Sequence, residues 1–361
     1  MVKLSTTKSG GGKRRGAGFD PVNRFERIHI EMEPEASATG LPSLPILRTE
    51  VFHDESRSVV TENKSPDIGF RFSLNPYRGC EHGCTYCYAR PTHETLGMSA
   101  GLDFETKIMA KPEAPKLLAD FLRRPNYVCE PIVLSGVTDP YQPIERSLKI
   151  TRQCLEVMLE CGQPVELITK NRLMLRDLDL LKELARRNLV SVALAITTLD
   201  EQLQHAMEPR ASSPLGRLDM MKQLTSAGVP VRLLIAPLIP GLTDSEVPSI
   251  MKAASLCGAR SAGYVMLRLP YAVKDIFLDW LRRTYPQSFP RVISRIREIR
   301  SGQLNDSQFG TRMTGTGQLS EATAKMFRVF ANKYGLNNVI SSLDCSQFRP
   351  PSDPSGQQTL F

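Results

Sequence analysis

Three of the chain's eight cysteines fall within eight consecutive residues, in the segment Asn75-Pro-Tyr-Arg-Gly-Cys80-Glu-His-Gly-Cys84-Thr-Tyr-Cys87-Tyr-Ala-Arg90. The spacing, Cys-x3-Cys-x2-Cys, suits few local structures. A disulfide would leave one thiol over. A zinc site would recruit His82, but structural zinc loops bring their ligands in two pairs far apart in sequence, and four ligands crowded together strain a tetrahedron. Three thiolates on one loop suit three corners of an iron–sulfur cubane, with the fourth iron open to a small molecule. Gly79 and Gly83 give the backbone freedom to wrap round such an object. Cys80, Cys84 and Cys87 are the expected ligands of a 4Fe-4S cluster.

The chain around this loop reads as α/β. Short apolar runs at Phe70–Asn75, Ile132–Gly136, Val165–Thr169, Val190–Thr197, Val231–Pro237 and Ala262–Leu267 have the character of parallel strands covered on both faces. Amphipathic stretches alternate with them at Leu148–Cys161, Arg176–Asn188, Leu218–Ala227 and Ser245–Cys257, the last with Ser245 as its cap. Strand and helix in alternation predict a partial (β/α)6 TIM-like barrel or a flat doubly wound sheet, and periodicity does not choose between them. After Pro270 the pattern is mainly helical, with helices expected over Arg291–Arg300 and Leu319–Tyr334 and a bend at Gly315-Thr-Gly317. No apolar run is long enough to span a membrane. A chain of 361 residues has no need of disulfides to build its core, so reducing cytosol is the expected compartment.

The cysteine loop resembles the Cys-x3-Cys-x-aromatic-Cys signature of the radical S-adenosylmethionine (SAM) superfamily, with Tyr86 as the aromatic residue. The resemblance covers roughly residues 70–285 and implies a partial six-stranded barrel, a 4Fe-4S cluster, SAM, and an electron donor such as flavodoxin or ferredoxin. Tyr86-Cys87-Tyr88, the run Ser135-Gly-Val-Thr138-Asp139-Pro-Tyr141-Gln-Pro-Ile-Glu145, and Glu208-Pro-Arg210 are similar to the branch grouped with spore photoproduct lyase, which repairs a thymine lesion in DNA. One departure matters. That lyase uses a cysteine hydrogen donor in the loop after its second strand, where this chain has Ser135 to Asp139 and no thiol. Cys129 precedes the strand.

In α/β barrels the functional groups gather at the C-terminal ends of the strands. Those ends carry Ser135–Asp139, Thr169–Asn171, Thr197–Thr198, Ala236–Pro237 and Arg268. The resemblance implies that Ser135, Gly136 and Thr138 meet the SAM amino group, Lys170 its carboxylate, Thr197 the ribose, and Tyr86 and Ala236 the adenine. Tyr88, Tyr141, Glu145 and Arg210 are the candidates for substrate contact or radical relay.

Both ends of the chain stand apart. Residues 1–19 carry five cations and no acid (Lys3, Lys8, Lys13, Arg14 and Arg15) out of a net charge of +8, and read as a disordered basic tail able to meet nucleic-acid phosphates. Residues 20–69 read as an irregular extension, 286–348 as a helical extension and 349–361 as a flexible tail. The final Gln357-Gln-Thr-Leu360-Phe361 resembles the peptide by which bacterial repair and replication proteins bind the sliding clamp. The function expected is radical chemistry on a nucleic acid or nucleotide lesion. Modification of tRNA or protein, and a non-catalytic iron–sulfur or zinc module, stand as alternatives.

Overall fold

A computed structural model describes residues 3–6, 15–25, 48–338 and 342–352. The apolar runs become β1 (Phe72–Leu74), β2 (Ile132–Leu134), β3 (Val165–Thr169), β4 (Val190–Ala195), β5 (Val231–Leu238) and β6 (Ser261–Met266). All five neighbouring pairs are parallel, with Phe72 opposite Ile132, Ile132 opposite Val165, Val165 opposite Val190, Val192 opposite Val231, and Arg232 opposite Ser261. Spatial order follows chain order from β1 to β6 without reversal. A doubly wound sheet reverses its order at a switch point. This one does not, which settles the ambiguity in favour of a partial barrel. Val60–Glu62 adds an antiparallel strand on the outer edge of β1.

Helices α1 (Ala114–Leu122), α2 (Ile150–Cys161), α3 (Leu178–Arg186), α4 (Pro214–Ser226) and α5 (Val247–Leu256) cover the outside, followed by α6 (Ala272–Thr284), α7 (Phe289–Ile299) and α8 (Gly317–Lys333). Local chemistry moved several boundaries. Lys149 takes a left-handed conformation and splits a short turn, Glu145–Leu148, from α2. Helix α4 starts four residues earlier than its apolar pattern, because Ser213 caps it through Gly216 N at 3.2 Å and Pro214 opens it. The expected Ser245 cap is corrected: Ser245 sits inside a 3-10 turn, Asp244–Glu246, and α5 starts without a side-chain cap. Its neighbour Glu246 instead accepts from Thr198 Oγ1 and Leu199 N, holding the end of β4 to α5.

A second, four-stranded sheet was not legible in the sequence. It pairs Lys3–Thr6, Glu50–His53, Lys107–Ala110 and Tyr77–Arg78 in that order. Tyr77–Arg78 runs directly into the cysteine loop, so this sheet is the loop's platform. Thus Lys3–Thr6 and Glu50–His53 are strands within stretches expected to lack them. Among the described residues, no helix is long and apolar enough to cross a membrane.

Candidate active site at the strand ends

The cysteine loop crosses the C-terminal mouth of the barrel. Cys80 N donates to Phe104 O at 2.9 Å and Thr85 N to Met207 O at 3.0 Å, fixing the loop at both flanks. Gly79 and Gly83 have φ of 77° and 66°, the left-handed region that glycine adopts without penalty. The N-terminal segment lies flat on the loop: a Cβ at Gly16 would come within 1.7 Å of Gly83 O.

All three cysteines are free thiols, with Cys80 and Cys84 buried. Burial pushes their thiols up, and the Cys80 thiol is pushed further by Asp139 and by its neighbours Cys84 and Cys87. Among the described residues no three His, Cys, Asp or Glu converge as ligands of one metal ion. A cubane makes no such demand, since each thiolate binds a different iron. The donor set therefore fits the cluster, with Cys80, Cys84 and Cys87 to hold it.

Three buried arginine–glutamate pairs clamp this loop. Arg90, fully buried, reaches Glu105 at 2.5 Å and donates from Nε to Cys84 O at 2.9 Å. Glu105 also accepts from Gly16 N and Ala17 N at 2.9 and 2.8 Å. Arg15 donates to Glu105 O at 2.8 Å and to Thr49 Oγ1 at 3.2 Å, so one cation of the expected basic tail is spent inside the protein. Arg210 pairs with Glu81 at 2.9 Å, and Glu81 accepts in turn from Ile144 N at 2.6 Å. Arg217 pairs with Glu208.

Glu208 is the centre of a polar knot. It accepts from Tyr86 Oη and, at 2.8 Å, from Thr197 Oγ1, while Lys170 Nζ stands 3.4 Å away. Lys170 also donates to Ala236 O at 3.0 Å and lies 5.8 Å from the Tyr86 ring centre. Burial alone would push the Glu208 carboxyl up, but the Arg217 and Lys170 cations outweigh it and hold it below the usual carboxylate range. Tyr86, Lys170, Thr197 and Ala236, read from four separate stretches of sequence, thus meet in one place.

Ser135, Gly136 and Thr138 form a second group. Ser135 and Gly136 have φ of 150° and 108°, Ser135 Oγ donates to Thr138 O at 3.2 Å, and Val137 N and Thr138 N donate to Asn75 Oδ1 at 3.0 and 3.1 Å. Asp139 joins the groups, accepting from Thr169 Oγ1 at 2.7 Å and Lys170 N at 2.8 Å, with His82 Nδ1 at 3.4 Å. Burial holds the buried His82 ring below its ordinary range, more than Asp139 raises it.

The four remaining candidates divide. Tyr88 is 51% exposed in the mouth, its hydroxyl on Gly136 O. Tyr141 and Glu145 are not brought there. Both are fully buried in the barrel wall, where Glu145 accepts from Tyr77 Oη and pairs with Arg176 at 2.7 Å. Arg210 points at Glu81 beneath the cysteine loop. The partners Glu81, Arg90, Glu105 and Arg217 escaped sequence reasoning, apart from the position of Arg90 directly after the motif. Gln357, Leu360 and Phe361 lie outside the described residues.

The radical SAM superfamily model matches residues 74–254, half of the chain. An uncharacterised protein of Mycobacterium tuberculosis strain H37Rv is 34% identical over 242 residues, covering 66% of this chain and 70% of that protein. A radical SAM Nalpha-GlyT isomerase of Pseudomonas phage M6 is 20% identical over 289 residues, covering 78% of this chain and 55% of that one. Spore photoproduct lyase complexed with dinucleoside spore photoproduct has the same fold, at a TM-score of 0.54 and 13% identity over 79% of this chain and 78% of that chain. The chain belongs to the radical SAM superfamily, whose members use a 4Fe-4S cluster and SAM, and it is an enzyme of that class.

Proposed function

We propose that this radical SAM enzyme takes a hydrogen atom from a nucleic acid or nucleotide lesion. When bound there, a 4Fe-4S cluster and SAM would supply the one-electron chemistry for removing a hydrogen atom from the substrate. The protein's own contribution is placement and exclusion of water. Cys80, Cys84 and Cys87 hold the cluster. The knot of Tyr86, Lys170, Thr197 and the Ala236 carbonyl takes one part of SAM, and the Ser135–Thr138 turn another. The buried Arg–Glu pairs leave the loop little room to shift when ligands change.

The observation that carries the substrate reading is the mouth itself. Tyr88 stands half exposed beside Cys87, the exposed Tyr271 stands on the loop after β6, and the exposed Phe309 stands on the loop between α7 and α8. An arginine lies over each ring: Arg268 at 5.7 Å from the Tyr88 centre, Arg24 at 3.8 Å from Tyr271, and Arg312 at 4.5 Å from Phe309. Exposed aromatic faces with guanidinium groups beside them are how proteins receive unstacked bases. The likeness in fold to spore photoproduct lyase supports the same substrate class.

The lyase reaction itself does not carry over. No thiol stands in the Ser135–Asp139 loop, and Cys129 is at the other end of β2, its Sγ 3.7 Å from Gln163 Oε1. The cytoplasm, a flavodoxin or ferredoxin donor, and recruitment to the sliding clamp through Gln357, Leu360 and Phe361 complete the reading. The experiment is anaerobic reduction with SAM in the presence of ultraviolet-irradiated DNA, tRNA or a peptide pool. Formation of 5′-deoxyadenosine stimulated by the DNA supports it, and stimulation by tRNA or peptide alone refutes it. A peptide of the last ten residues should bind the clamp at about micromolar Kd, and no binding at several hundred micromolar would end the recruitment claim.

A further inference from the structure

Of the arginines near the mouth, Arg312 and Arg24 are matched to carboxylates, Arg300 spends its Nη groups on Thr311 O and Leu267 O at 3.1 and 2.8 Å, and Arg268 has neither kind of partner among the described residues. Arg312 pairs with Asp67 at 2.5 Å, and Arg24 with Glu94 at 2.7 Å. Among the described residues Arg268 forms no ion pair. Its Nη1 touches only Met313 Sδ at 3.7 Å, and its buried Nε has no hydrogen-bond partner. A guanidinium presents five donors in a rigid fork and cannot shed its charge, so such a group is costly to keep partly buried without an anion.

Its position is also particular. Arg268 follows the end of β6, the last barrel strand, and lies over the ring of Tyr88. The Tyr88 hydroxyl is bonded to Gly136 O, just past the end of β2. The pair therefore spans the open side of the mouth, directly after Cys87 in the chain. Burial first and the nearby Arg312 charge second lower the pKa of Arg268, against the pull of Tyr88, Asp67 and Asp306, neither carboxylate forming an ion pair with it. On the far side of Arg312 the Phe309 ring is 59% exposed. The loop carrying Phe309 and Arg312 is pinned by Asp67, which also accepts from Gly310 N at 2.7 Å. Cation and ring faces are thus held in place before any ligand arrives.

We propose that Arg268 binds a phosphodiester of the substrate, with Tyr88 and Phe309 as the faces on which the flanking unstacked bases lie. This rests on the nucleic-acid reading above and adds to it the residue that holds the backbone. A phosphodiester fits the unmatched fork, because its two free oxygens accept the parallel donors of one guanidinium. Bases fit the rings because every base has a π-face. An acidic peptide would satisfy the charge but would leave the flanking rings unused.

The test uses the anaerobically reconstituted full chain with SAM and a fluorescein-labelled single-stranded twelve-residue oligothymidylate, titrated by anisotropy over a series of salt concentrations. Arg268→Gln should weaken binding about tenfold or more and reduce the slope of log K against log salt by about 0.7, the loss of one phosphate contact on a single strand. Tyr88→Leu and Phe309→Leu should weaken binding with the slope unchanged. Iron content reports whether each variant is intact. Should Arg268→Gln fail to hold iron, Arg268→Lys serves: it keeps the charge and loses the fork, so weaker binding at an unchanged slope is expected, and wild-type affinity would overturn the assignment. Wild-type affinity and slope in an iron-replete Arg268→Gln protein would likewise overturn it, leaving the nucleic-acid reading intact. A wild-type protein that ignores the oligonucleotide but binds a polyglutamate peptide would overturn both.

Discussion

The floor of the mouth and its rim use arginine in opposite ways. Beneath the cysteine loop Arg90, Arg210 and Arg217 are buried, each against a glutamate that is itself no more than 2% exposed. At the rim Arg268 has a ring beneath it and, among the described residues, no ion-paired carboxylate, and Tyr88, Tyr271 and Phe309 are more than half exposed. A buried ion pair gains little net stability over a well-packed apolar pair, because both charges must be desolvated. What it fixes is geometry, since breaking it leaves a charge stranded. The floor therefore holds a loop to one shape, and the rim keeps its hydrogen-bonding capacity for something not part of the chain.

The largest effect that separates the two regions concerns the metal. Anaerobically reconstituted protein should bind about four irons and four sulfides. Cys80→Ala, Cys84→Ala and Cys87→Ala should each lose most of that iron, whereas Cys345→Ala should keep it. Stoichiometric zinc in protein purified without air, with no iron-dependent absorption, would contradict the cluster assignment. Next in size is the floor's electrostatics. Glu208→Gln strands Arg217 and should cost roughly 3–5 kcal/mol of unfolding free energy in a denaturant titration. Replacing both Glu208 and Arg217 by apolar residues of similar volume should recover most of it. A single mutant as stable as wild type would show that the pair does not lock the floor.

A smaller effect follows from pH. His93 packs against Gly79 and Phe104, and burial lowers its pKa from the ordinary 6.5 to about 4. Between those values the unfolded chain binds a proton that the folded chain refuses, so stability falls as pH drops through that window and rises as pH climbs. The low carboxyl of Glu208 works in the same direction below the usual carboxylate range. In His93→Gln the dependence of unfolding free energy on pH between about 4 and 6.5 should flatten, by at most about 1.4 kcal/mol per pH unit. An equally steep profile would remove His93 from the account. Smallest of all is the rim: Phe309→Leu should change unfolding free energy by no more than about 0.5 kcal/mol. A larger loss would mean that Phe309 supports the fold rather than a ligand.

These regions also differ in how far the sequence reveals them. The strand ends were legible because parallel β/α units repeat locally, and each unit delivers its loop to the same face. That regularity placed Lys170, Thr197 and Ala236 at strand ends, and the resemblance of the cysteine motif to the radical SAM signature added Tyr86 and the expected roles, before their meeting near Glu208 was visible. The choice of barrel over flat sheet was not legible, since it depends on which strands pair. The clamps were hidden for a similar reason. Glu105 and Gly16 are bonded at 2.9 Å across a separation of 89 residues, and Arg210 and Thr49 at 3.1 Å across 161. Nothing local marks such partners. Tyr141 and Glu145 show the converse error: a Tyr and a Glu close behind an active loop attract attention, yet α2 and Arg176 hold that segment in the wall. Arg268 stood among the strand ends from the outset, but only the missing carboxylate distinguishes it from the matched arginines around it.

In the proposed division of labour the floor holds the radical-generating groups and the rim presents a nucleic acid to them. The most direct measurement follows the hydrogen atom. Reduced, reconstituted protein is given SAM and uniformly deuterated DNA, intact or ultraviolet-irradiated, and the 5′-deoxyadenosine is analysed by mass spectrometry. Deuterium is expected in that product with the wild-type chain, and no product at all with Cys84→Ala. Wild-type 5′-deoxyadenosine that forms steadily and carries only protium would contradict that division.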